Sequence, residues 1–159
     1  MTTPTPDNRG RLPKVLAIAS GGGHWVQLLR VAPAFEGCDL CFVTVRAAYK
    51  SDIPRGRFRT IVDATRWNKF KLAWMALQIL WILIRERPAV IVSTGAAPGY
   101  FAFRLGKFFG ARTLWIDSIA NAEVLSMTGQ IIAPYADLRL TQWEHLASPE
   151  GPLYGGSVV

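Results

Sequence analysis

Half of the 159 residues are hydrophobic and the formal net charge is +7, enough apolar side chain for one domain with a sizeable core. The charge is lopsided: residues 1–112 hold 17 basic and 6 acidic side chains, whereas residues 113–159 hold one and five. Such a balance excludes an acidic solvating chain and suits phosphate-bearing partners. With no RNA- or DNA-binding module in view, an anionic membrane surface is expected rather than nucleic acid.

Residues 1–12, MTTPTPDNRGRL, read as a disordered leader to a single domain over 13–159. They lack the apolar stretch of a signal peptide, which predicts a cytoplasmic chain. Val15–Ala19 then reads as a buried strand running into Ser20, Gly21, Gly22, Gly23 and His24, with an amphipathic helix over His24–Ala34. Glycines permit close backbone approach and positive φ. The start of a helix offers unpaired N–H groups to a phosphate or diphosphate. His24 adds a group that can trade a proton near neutral pH. The dinucleotide fingerprint is broken, because Val26 replaces its third glycine and Val45-Arg46, not an acid, closes the next strand. No Walker Gly-Lys-Ser/Thr follows either. The turn is therefore a plain strand–helix link or an anion site of another kind.

Cys38 and Cys41 form a C-x-x-C that runs directly into the strand Leu40–Val45. They read as small apolar residues, since a zinc site lacks further ligands and a redox pair sits at a helix start. From Arg46 to Lys71 lies the densest basic stretch, followed by a helix over Trp67–Arg87. Within that helix, Leu72–Ile84 has Gln78 as its only polar residue. Thirteen residues are too few to cross a bilayer, which needs about 20. Trp74, Met75, Trp81 and Ile82 spread around it, with Lys69 and Lys71 at its mouth, and suggest membrane or partner contact beyond a core role.

Strands are expected again at Arg59–Val62, Ala89–Ser93, Thr113–Asp117 and Leu138–Thr141, with a helix at Gly99–Phe109 and a weaker helical pattern within Ala122–Ala133. Alternation of this kind predicts a Rossmann-like, doubly wound parallel α/β sheet, with ligands beyond the carboxyl ends of its strands. A second small-residue loop with Thr94, Gly95 and Gly99 repeats the logic of the first. Asp117, at the rim, offers a base, a hydrogen-bond acceptor or a helix cap, with Glu123 as the other nearby carboxylate. No metal-ligand cluster or nucleophile elbow is present, and no cofactor is expected.

ASGGGHWVQLL, STGAAPG, DSIANAEVLSMTG, YADLRLTQWEHLA and YGGSVV, in this order, resemble the bacterial PssD family. Its relatives are the membrane-recruiting subunits of the split N-acetylglucosaminyltransferase of asparagine-linked glycosylation. The family is similar to the amino-terminal, acceptor-binding half of GT-B glycosyltransferases such as MurG. The resemblance implies a polyprenyl-diphosphate-linked saccharide as acceptor and a PssE-like partner subunit that holds the UDP-sugar. It implies a place on the cytoplasmic face of the inner membrane. By the same resemblance His24 is the candidate general base, and Gly21, Gly22 and Gly23 face the diphosphate. Thr94, Gly95 and Gly99 line the acceptor side, and Asp117 stands where the family often carries glutamate. The donor sugar is glucuronate by the bacterial likeness and N-acetylglucosamine by the eukaryotic one. Two other readings compete: a non-catalytic anchor that recruits a catalytic subunit, and a small nucleotide-binding oxidoreductase, against which the broken fingerprint argues.

Overall fold

Residues 12–158 are described by a computed structural model, so the expected leader falls, except for Leu12, outside the described residues. Seven parallel strands form one sheet: β1 (Lys14–Ile18), β2 (Asp39–Thr44), β3 (Arg57–Thr60), β4 (Val90–Ser93), β5 (Arg112–Ile116), β6 (Leu138–Thr141) and β7 (Leu153–Tyr154). Their spatial order is β3-β2-β1-β4-β5-β6-β7. Among the described residues, four α-helices lie in four of the six connections, α1 (Gly23–Val31), α2 (Lys69–Glu86), α3 (Ala96–Phe108) and α4 (Met127–Ile131), while β2–β3 and β6–β7 are joined through short 3-10 turns. The Rossmann-like architecture expected from the sequence is present, with β7 as an unforeseen edge strand.

Side-chain alternation divides the core between the two faces of the sheet. Leu16 and Ile18 of β1 point into a cluster with Met75, Ile79 and Leu83 of α2 and Phe103 of α3. Val15, Ala17 and Ala19 point the other way, against Trp25 and Leu28 of α1. Each fully buried side chain of this size contributes about 1.5–3 kcal/mol. The order of the strands reverses between β1 and β4, so the chains leaving these two strands diverge to opposite faces. That is the switch point at which open α/β sheets take ligands.

Several boundaries moved, most by one to three residues. The third strand is Arg57–Thr60 rather than Arg59–Val62, because the apolar pair Ile61-Val62 belongs to the exit, where Ile61 N–H still donates to Thr44 O at 3.0 Å. The helix expected at Gly99 starts at Ala96, and the weak pattern near residue 127 condenses into one short helix, capped by the Ser126 side chain.

Candidate functional site

At the switch point, the loop after β1 is held from below by Trp25. Its indole is buried, stacks on Tyr49 at 5.3 Å and donates from Nε1 to Asp52 Oδ2 at 3.0 Å. Tyr49 in turn accepts the Gly22 N–H on its hydroxyl at 3.0 Å. Gly22 sits at φ 65°, a left-handed geometry that glycine adopts without strain. A Cβ on Gly22 or Gly23 would meet nothing within 4 Å, so this turn faces open space. One on Gly21 would stand 3.4 Å from Arg46 Nε, which sets that guanidinium beside the loop. Ser20 fixes the start of the turn through its carbonyl, which accepts the Thr44 hydroxyl at 3.1 Å.

His24 is clamped to the loop after β4. Its Nδ1 lies 2.9 Å from Thr94 O, and Thr94 Oγ1 donates to His24 O at 2.6 Å. A carbonyl can only accept, so Nδ1 carries the proton and the lone pair of the neutral ring resides on Nε2. Gly95, at φ 147°, leaves the space the ring occupies: a Cβ there would overlap Nδ1 and Cε1 of His24. Helix α1 starts at this opening, and a helix start carries N–H groups that the helix itself leaves unpaired. His24, the glycine turn and the Arg46 guanidinium thus converge on one edge of the sheet.

Several expected contributors have other work. Thr94 is fully buried and both its oxygens are engaged with His24, so it positions the ring and offers no hydroxyl to a ligand. Gly99 lies inside α3 and faces the sheet, where a Cβ would overlap Ser93 Oγ and crowd Trp115. It lets the helix approach the strands and does not line the site.

Asp117 is not at the rim: it is 3% exposed and organises the loop after β5. Its Oδ1 accepts Ser118 N–H and Asn121 Nδ2–H, each at 2.8 Å; Oδ2 accepts Ser126 N–H at 3.1 Å and Ser126 Oγ–H at 3.2 Å. Four donors occupy the carboxylate, which makes it a positioning residue. Beside it runs a buried amide chain that the sequence did not announce. Gln27 of α1 donates to Ser118 Oγ at 2.9 Å and accepts from Gln142 Nε2 at 2.6 Å, which also donates to Asp117 O at 2.9 Å. Isolated glutamines carry no spacing signal, so only the fold reveals this link. Glu123 stays exposed and outside the network.

The basic stretch splits into paired and unpaired halves. Arg57 bonds Asp39 at 2.7 Å and Glu86 at 3.0 Å, and Arg59 bonds Glu86 at 2.7 Å. Burial alone would raise the Glu86 pKa. The hydrogen bond from Arg59 and the charges of Arg57, Arg59 and Lys14 reverse that and hold it below its ordinary value. Arg46 and Lys50 make no ion pair among the described residues. Burial pushes the Cys41 thiol up to about 11, with Glu86 adding to the rise, and raises Cys38 as well. Neither is a thiolate nucleophile at neutral pH.

Helix α2 carries two apolar stripes. Met75, Ile79, Ile82 and Leu83 are buried against the sheet. Phe70, Trp74, Leu77, Trp81 and Ile84 recur at intervals of three and four on the outside, with Trp74 55% and Trp81 53% exposed. Lys69 and Lys71 are exposed at the start of the helix, after the Asn68 cap. Among the described residues no helix is long and apolar enough to cross a membrane.

A family model described as "Oligosaccharide biosynthesis protein Alg14 like" matches residues 40–155. A curated relative, the UDP-N-acetylglucosamine transferase subunit alg14 of Schizosaccharomyces pombe, is 28% identical over 104 residues, 60% of this chain and 49% of that protein. The chain thus spans about half the length of that relative. In fold it is similar to MurG of Acinetobacter baumannii, with a TM-score of 0.74 and 15% identity over 91% of this chain and 46% of that one. UDP-N-acetylglucosamine 2-epimerase of Rickettsia bellii gives a TM-score of 0.71 at 15% identity, over 92% of this chain and 45% of that one. These likenesses bear out the sheet architecture expected of one half of a GT-B enzyme.

Proposed function

The chain belongs to the Alg14-like family of oligosaccharide biosynthesis proteins, and from that premise we propose that it is the acceptor-binding, membrane-associated subunit of a two-chain inverting glycosyltransferase. The donor is a UDP-sugar, with N-acetylglucosamine suggested by the fission-yeast relative's name and glucuronate by the PssD likeness. The acceptor is a polyprenyl-diphosphate-linked saccharide. A PssE-like partner subunit holds the donor, and the reaction takes place in the cleft between the chains, on the cytoplasmic face of the inner membrane.

The observation that carries this reading is the bond from His24 Nδ1 to Thr94 O, which frees Nε2 beside an open glycine turn. An acceptor hydroxyl attacks the anomeric carbon of the donor and passes its proton to Nε2. The new C–O bond forms as the bond from that carbon to the diphosphate oxygen breaks, and UDP leaves with the electron pair into the partner's site. General-base assistance of this kind is worth typically 10²–10⁴-fold. The acceptor diphosphate rests at the glycine turn, against the start of α1 and the Arg46 guanidinium. Outward-facing aromatics on α2 sit in the interface of the bilayer, where juxtamembrane Lys and Arg add about 1 kcal/mol each on anionic lipid.

The same exposed stripe also favours a second reading, a non-catalytic anchor for a catalytic partner. Membranes from cells making this chain, a PssE-like chain, or both, supplied with lipid-linked acceptor and radiolabelled UDP-N-acetylglucosamine or UDP-glucuronate, test the proposal. Transfer only when both chains are present is the expected result. Equal transfer by the partner alone would overturn it.

A further inference from the structure

A groove of about 620 Å³ opens between the outer face of α2 and the free edge of β3. Its walls include Trp74, Leu77 and Trp81 from the helix, Phe58 from the strand, and Ala47 and Lys50 from the turn after β2. The size lies within the range of ligand pockets, and the aromatic and aliphatic walls suit a hydrocarbon. One wall of this groove is also a wall of the candidate site. Lys50 belongs to the single turn over Ala47–Asp52 whose Tyr49 accepts the Gly22 N–H, and Arg46, at its start, lies beside Gly21.

Charge is distributed along this edge in a telling way. Arg59 also lines the groove, over the Trp81 ring at 5.3 Å, but it and Arg57 are neutralised by Glu86 and Asp39, and Arg55 is paired with Glu36. Arg46 and Lys50, where the groove meets the glycine turn, have no such partner among the described residues. Unspent positive charge therefore stands at one end of an apolar channel. Trp74, Leu77 and Trp81 belong both to the groove wall and to the exposed stripe of α2, so the groove opens onto that apolar face.

We propose that this groove holds the hydrocarbon chain of the lipid-linked acceptor, with Lys50 and Arg46 leading its diphosphate over the turn to Gly21–Gly23. The inference rests on the reading of the acceptor as a lipid diphosphate, and it adds where the lipid lies. The groove would then set the distance between the membrane and the reacting hydroxyl, and would favour a prenyl diphosphate over a free diphosphate.

Tryptophan fluorescence of the full chain, titrated with geranylgeranyl diphosphate below its micellar concentration, tests this, because Trp74 and Trp81 line the groove. Geranylgeraniol and inorganic diphosphate serve as controls. Saturable quenching is expected, with Kd raised at least tenfold in Leu77→Asp and in Lys50→Glu. Phe70→Asp, on the stripe but outside the groove lining, should leave Kd unchanged. Equal weakening by Leu77→Asp and Phe70→Asp would overturn the groove, as would diphosphate binding as tightly as its prenyl ester. Melting curves confirm that each exposed-site variant is folded. If Leu77→Asp weakens lipid binding but the two chains together transfer no sugar, the groove stands and the transferase reading falls. If transfer occurs and binding ignores Leu77→Asp and Lys50→Glu, the groove alone falls.

Discussion

His24 and Thr94, 70 residues apart, hold each other through two opposed hydrogen bonds, from ring Nδ1 to carbonyl at 2.9 Å and from hydroxyl to carbonyl at 2.6 Å. The pair ties the loop after β1 to the loop after β4 across the switch point, and it fixes both the tautomer and the orientation of the ring. A positioned base is what the proposed transfer needs.

Gly95 is the third member of this arrangement. Gly95→Ala should cost about 1–3 kcal/mol, since alanine meets both an unfavourable φ of 147° and the imidazole. Displacing the ring should also lower transfer at least tenfold. Adding His24→Ala to Gly95→Ala removes the clash, so the double variant should melt above the Gly95→Ala single variant. Additive melting losses would contradict the contact.

Much of this was legible from residues alone. The glycine turn, His24 and the second loop announced themselves because strands ending in small residues mark ligand edges. The division of labour among them was not legible. Thr94 and Gly99 looked like ligand-facing residues, yet their roles depend on His24 and Ser93, partners that only the packing of α1 and α3 brings close. Arg46 was visible as part of a basic stretch. Its separation from Arg57 and Arg59 depends on Asp39 and Glu86, which lie distant in sequence.

Asp117→Asn should destabilise the chain by about 2–3 kcal/mol, because an amide presents N–H groups to donors that a carboxylate had satisfied. In the folded fraction kcat should change less than tenfold, and the pH–rate profile should keep its shape. Loss of one limb of that profile would make Asp117 a proton-transfer group instead.

Glu86 supplies a pH-dependent share of stability. Its pKa is lowered in the folded chain, so its contribution is present above the ordinary glutamate value and is lost as pH falls through the folded value. Glu86→Gln should therefore cost about 2 kcal/mol near neutral pH. The gap from the wild-type chain should begin to narrow as pH falls below the ordinary glutamate value of about 4.3, as urea melts across pH would record. A gap independent of pH would contradict the ion-pair account.

Replacing Trp74 and Trp81 together by serine should leave thermal stability within about 1 kcal/mol, as each ring is half exposed. Sedimentation with anionic vesicles should fall at least tenfold, since burying an apolar side chain of this kind contributes about 1.5–3 kcal/mol. Unchanged sedimentation would assign the stripe to a partner subunit.

The most direct test of the central claim is single-turnover sugar transfer by the two-subunit enzyme carrying His24→Ala. Transfer reduced by about 10²–10⁴-fold, with melting temperature and lipid binding retained, is the predicted result. Transfer at the wild-type rate would remove His24 as the base and leave the chain an anchor for its partner.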